Sequence, residues 1–160
     1  MAGRRRIEKI VHRVIDEYHT ACPLAIARHY NIPVVSLPLP HSVRGYMLAL
    51  DDGSVGIAVN DKIHAWERPL VVAHEIGHYI MHDRTLFLSY NAWPQKYEHR
   101  EYESDVFAYM LAAHCYDMSV KDLYLIVPRY EDVKDWRALY RLFCRKLKET
   151  KKEARKWIKT

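Results

Sequence analysis

Residues 71–82, VVAHEIGHYIMH, set three histidines and a glutamate inside an apolar run. Leu70, Val71, Val72, Ala73, Ile76, Ile80 and Met81 surround the polar groups, so a helix here wants burial nearly all round. Buried imidazoles and carboxylates are tolerated only when paired, hydrogen-bonded or bound to a metal. On a helical wheel with His74 at the origin, His78 falls at about 40°, His82 at about 80° and Glu75 at about 100°. The polar groups share one face, which scattered misfits in a core helix would not do.

His74-Glu75-x-x-His78 is an HExxH arrangement. Two imidazoles one turn apart can reach the same zinc ion, and the glutamate points beside the metal rather than at it. Glu75 is thus placed to take a proton from the metal's water and pass it to a leaving amine. His82 lies two turns from His74, about 12 Å along the axis, too far to share the ion. It is a candidate outer partner of the site or a histidine at the helix end.

Zinc catalysis needs a third protein ligand and an open fourth position. Glu98, His99, Glu101, Glu103 and Asp105 follow the motif. With Glu103 at the origin of a second wheel, Val106, Phe107, Met110, Leu111 and His114 cluster around it, while Glu101 and Asp105 fall on the opposite side, at about 160° and about 200°. A carboxylate amid an apolar face needs a cation partner, and the zinc on the first helix is the expected one. Glu103 is therefore the favoured third ligand. Its rival is Glu101, which with Asp105 forms the E-x-x-x-D pattern of other zinc peptidases. His114 lies about 16 Å from Glu103 along that helix and reads as structural.

The rest of the chain arranges itself around these helices. Apolar residues at helical spacing predict a helix over residues 4–19, and CPLAIARHYNI reads as a short second one. IPVVSL is a strand candidate. Residues 45–60 read as a hairpin, with Gly56 hinting at a bulge or a close backbone approach. Pro69 opens the zinc helix, and a further helix covers residues 98–115. Ser119 with Asp122 resembles a capping box, and a last helix runs from about residue 133 with Trp136, Leu139, Phe143 and Leu147 as its stripe. Helices, a small sheet, then more helices make an α+β domain.

At 160 residues, one domain is expected. Its parts are N-terminal helices and a strand over 1–45, a catalytic core over 46–118, and C-terminal helices with a basic tail over 119–160. Residues 144–160 hold eight Lys/Arg and two Glu, so the net charge of +5 belongs to the tail. A basic helix can meet nucleic acid or an acidic partner, although a solvated face is the commoner meaning. The three cysteines are widely spaced, which argues against a disulfide framework or a cysteine zinc site. No apolar run is long enough to span a bilayer, and the stretch after MAGRRR is too charged for a signal-peptide core. A cytoplasmic location is expected.

RPLVVAHEIGHYIMH, followed by YESDVFAYMLA, resembles the ImmA/IrrE family of HExxH metallopeptidases. That family typically shows an AHE-GH-hydrophobic-H helix and a later E-A-N-x-F-A segment. The hairpin ending Ile57-Ala58-Val59-Asn60 also fits, and the resemblance covers roughly residues 20–115. Ser104-Asp105 stands in place of Ala-Asn, Val71 replaces a frequent threonine, and MLAAHCYDM lacks the leucine-rich continuation.

The resemblance implies a zincin-like fold with His74, His78 and Glu103 as Zn²⁺ ligands and Glu75 as acid/base. It implies a protein substrate, such as a helix-turn-helix repressor of a phage or mobile element. In zincins generally the substrate lies along an edge strand, here residues 46–60, with the loop over 84–97 (Phe87, Tyr90, Trp93) as a candidate specificity wall. The alternative is a non-catalytic zinc-containing regulator that binds a transcription factor or nucleic acid through its basic C-terminal helix.

Overall fold

The computed structural model describes residues 2–82 and 98–114. The chain runs α1 (Ala2–Tyr18), α2 (Pro23–His29), β1 (Val34–Leu37), β2 (Gly45–Ala49), β3 (Val55–Asn60), α3 (Arg68–Met81) and α4 (Glu98–Ala113). These described elements make a compact α+β arrangement of four helices and a three-stranded sheet. The expected capping box, last helix, basic tail and 84–97 loop lie outside the described residues.

Helix ends follow local chemistry. Pro23 and Pro69 sit in the first turns of α2 and α3, where a missing N–H costs nothing. Asn31 takes a positive φ of 56° just past α2, as a helix-terminating asparagine can. In the hairpin, Gly53 adopts φ 80° and Asp52 accepts from the Ser54 N–H at 2.9 Å, closing the turn between β2 and β3.

The strand order is β1-β3-β2, with β1 parallel and β2 antiparallel to β3. All six residues of β3 are buried. Val55, Ile57 and Val59 face a core shared with Ile7, Val11, Ile26, Val71, Val72, Ile76, Phe107 and Leu111. Ala58 faces a second cluster with Val35, Leu37, Leu39, Val43, Tyr46 and Leu48. β3 is therefore covered on both faces, which explains its nearly unbroken apolar run. The β2–β3 register is continuous through Leu48↔Gly56, so the expected bulge at Gly56 is absent.

A close backbone approach occurs at Gly45. A Cβ there would overlap Val71 Cγ1 and come within 2.7 Å of the Ala58 carbonyl oxygen. The start of β2 thus lies directly against α3. Arg44 reinforces that contact through an ion pair with Glu67, whose other oxygen accepts from the His64 N–H at 2.9 Å. Asn60, at the end of β3, donates to the carbonyls of Val43 at 2.8 Å and Pro40 at 3.1 Å. One amide therefore anchors the proline-bearing loop between β1 and β2.

α3 is the central helix. It packs against α2, against the sheet and, most extensively, against α4, while α1 packs on α4. Gly77 makes the α3–α4 approach possible, because a Cβ there would sit 3.1 Å from Phe107 Cδ1 and 3.3 Å from Phe107 Cβ.

Candidate metal centre

His74, Glu75 and His78 are all buried on α3, at 1%, 2% and 3% exposure. The Nε2 atoms of His74 and His78 face each other at 3.0 Å. Glu101 of α4 closes the triangle, its carboxylate oxygens 3.1 Å from His74 Nε2 and 3.2 Å from His78 Nε2. Tetrahedral zinc with ligands at about 2.0–2.1 Å sets neighbouring donor atoms about 3.3 Å apart. The Nε2–Nε2 separation falls just inside that edge, and each Nε2 has one oxygen of Glu101 at a similar distance, so the three side chains together can hold one metal ion.

The outer partners agree with that geometry. Asp105 Oδ1 lies 2.9 Å from His74 Nδ1. A carboxylate can only accept, so His74 Nδ1 carries the hydrogen and directs a hydrogen-bonded ring toward the centre through Nε2. His82 Nδ1 lies 3.0 Å from His78 Nδ1, and so holds the second ring from its far side.

The electrostatics point to a place for positive charge. Burial disfavours the imidazolium of His74. Hydrogen bonds to Asp105 and Glu101, with the charges of Glu75 and Glu101, outweigh that and raise its pKa to about 10. Burial likewise disfavours the charge on Glu101, but the hydrogen bond with His74, together with the adjacent His78, brings its pKa down to about 2. Burial lowers His78 to about 4, only partly opposed by Glu101. His82 is also lowered, chiefly by burial. Three carboxylates (Glu75, Glu101 and Asp105) therefore surround one histidine proton, in the position where a bound cation would satisfy the same charges.

Glu103, the ligand expected from the second wheel, is not brought to these histidines. Its Oε1 accepts from Arg6 of α1 at 2.8 Å, and its Oε2 lies 3.0 Å from His82 Nε2. The expectation that a buried carboxylate here needs a cation holds, but the cation is a guanidinium. The wheel was centred too far round. Val106 and Met110 are only half-buried, whereas the small residues Ser104, Ala108 and Ala112 are fully buried. The buried stripe is thus Ser104, Phe107, Ala108 and Leu111, with Glu101 and Asp105 on one flank and Glu103 on the other. The E-x-x-x-D spacing was the signal that pointed to Glu101. His114 contacts the His12 ring edge-to-face at 5.4 Å, away from the centre.

A curated relative, "Uncharacterized immunity region protein 2" of Bacillus phage phi105, is 33% identical over 78 residues, which is 49% of this chain and 49% of the relative. The chain thus aligns with about half the length of that relative. No solved structure matches. The family model described as Peptidase_M78, IrrE N-terminal-like domain, matches residues 27–142, which include α3 and α4 with all the residues of the centre. The chain therefore belongs to the Peptidase_M78 (IrrE N-terminal-like) family.

Proposed function

We propose that this chain is a zinc-dependent metallopeptidase of zincin-like fold that cleaves a protein substrate. The observation that carries the reading is the convergence of His74 Nε2, His78 Nε2 and Glu101 beside Glu75 on a buried helix face. A zinc ion held by those three residues supplies Lewis acidity toward a peptide carbonyl and lowers the pKa of water. Glu75 takes the proton of the attacking water and delivers it to the leaving amine. Asp105 keeps the hydrogen of His74 on Nδ1, so Nε2 stays available as a donor. The surrounding apolar residues limit access of bulk water and strengthen each of these interactions.

The matched phage immunity region protein supports a regulatory substrate, and we assign a helix-turn-helix repressor of a phage or mobile element. The test is incubation of purified protein with helix-turn-helix repressors encoded by any neighbouring genes. Cleavage should occur, stop with chelator, and return with zinc. Glu75→Gln should keep the zinc and lose cleavage; cleavage at the wild-type rate would sink the mechanism. Glu101→Ala should weaken zinc binding far more than Glu103→Gln does, and the reverse order would restore Glu103 as the ligand.

A further inference from the structure

α4 carries three carboxylates on alternate residues, Glu101, Glu103 and Asp105. The centre explains Glu101 and Asp105. Glu103 faces away from the metal-binding atoms, yet it is 8% exposed and held at both oxygens. The hydrogen bonds around it can be assigned in one direction.

Glu103, paired as a carboxylate with Arg6, can only accept. The hydrogen between Glu103 Oε2 and His82 Nε2 therefore belongs to His82. A neutral imidazole with its hydrogen on Nε2 has a lone pair on Nδ1. His82 Nδ1 lies 3.0 Å from His78 Nδ1, so His78 must be the donor of that pair. With its hydrogen on Nδ1, His78 keeps the lone pair of Nε2, which can accept from His74 Nε2 at 3.0 Å.

We propose that His82, Glu103 and Arg6 are positioning residues that fix the tautomer and orientation of His78. Each histidine of the centre is then served by its own carboxylate from α4. Asp105 acts on His74 directly, and Glu103 acts on His78 through His82. The chain of contacts ends on α1, whose residues precede the family-matched region 27–142. The N-terminal helix is thereby tied to the metal-binding face. This rests on the zinc-site reading only for its consequence on metal affinity; the tautomer assignment stands on the hydrogen bonds alone.

The experiment has two readouts. Long-range ¹H–¹⁵N spectra of the metal-free, ¹⁵N-histidine-labelled protein report which nitrogen of His78 carries hydrogen. Wild type should show Nδ1–H. Glu103→Leu should shift His78 toward a tautomer mixture, and Glu103→Gln, whose carbonyl still accepts from His82, should restore Nδ1–H. Zinc competition with a chromophoric chelator should show affinity falling about 10–100-fold in Glu103→Leu, as for other outer partners of metal ligands, with recovery in Glu103→Gln.

An unchanged His78 tautomer in Glu103→Leu would overturn the proposal, and a merely structural ion pair would give that result. If Glu103→Leu does not fold, the wild-type spectrum decides, since an Nε2–H His78 refutes the relay. A wild-type chain that takes up no zinc would defeat the metallopeptidase reading, while the His78 spectrum would still judge the relay separately.

Discussion

Gly77→Ala tests whether the α3–α4 contact sets the geometry of the centre. In an exposed helix the change would help by about 1 kcal/mol. Here the new methyl group would meet Phe107 Cδ1 at 3.1 Å and Phe107 Cβ at 3.3 Å. A ring can turn, but Phe107 Cβ is fixed to the α4 backbone, so α4 itself must shift. Overpacking of this kind costs about 1–3 kcal/mol, which leaves a net loss between about zero and 2 kcal/mol. At about 2–4 °C per kcal/mol, Tm of the metal-free protein should fall by up to about 8 °C.

Glu101 and Asp105 ride on the same helix, so the shift should separate them from His74 and His78. Restoring the donor geometry against about 1–2 kcal/mol of strain should lower zinc affinity by about 5–30-fold. Thermal unfolding without metal and chelator competition measure the two effects. Phe107→Leu in the Gly77→Ala background should recover part of both, giving a favourable coupling energy. A rise in Tm with unchanged zinc affinity would show that helix propensity wins and that the close approach does not position Glu101.

Gly45→Ala should destabilise the fold by about 1–3 kcal/mol in denaturant titrations, because the Ala58 carbonyl it approaches is backbone and cannot rotate away. Arg44→Met should cost about 3–5 kcal/mol, since it leaves the Glu67 carboxylate, 4% exposed, without its cation; Glu67→Gln should cost less. The metal-free protein should be most stable near pH 6.5 in urea titrations. The raised pKa of His74 adds stability that is full below 6.5 and lost as pH climbs toward 10. The lowered pKa of His78 removes stability as pH falls from 6.5 toward 4, and Glu101 adds a further loss from 4.5 toward 2. Zinc uptake at pH 8 should release about one proton, largely from His74, and calorimetry in buffers of different ionisation enthalpy reads that number.

The polar face of α3 was legible because a helical wheel needs only residue spacing, and four polar groups among aliphatic residues leave one arrangement. The hairpin was legible from its turn residues, and α2 from its proline and asparagine. The parallel pairing of β1 with β3 was not, because nothing local records which strand a distant segment joins. The place of Glu103 was misjudged because apolarity stood in for burial. Val106 and Met110 weigh heavily on a hydrophobicity wheel yet lie half-buried, whereas Ser104 and Ala108 weigh little and are fully buried. Arg6 could not have been foreseen as the partner of Glu103, since the pair spans 97 positions.

His74 and His78 are one turn apart on one helix, whereas Glu101 and Asp105 arrive from a helix that follows a further stretch of chain. This division bears on thermodynamic linkage. Any fluctuating turn of an unfolded chain can present the histidine pair, so metal held by the pair alone favours the native and unfolded ensembles nearly alike. Only the native state adds the carboxylate across the helix interface. The extent to which an ion shifts the folding equilibrium is therefore set by the difference in affinity between the two states, and the helix bearing Glu101 supplies most of that difference.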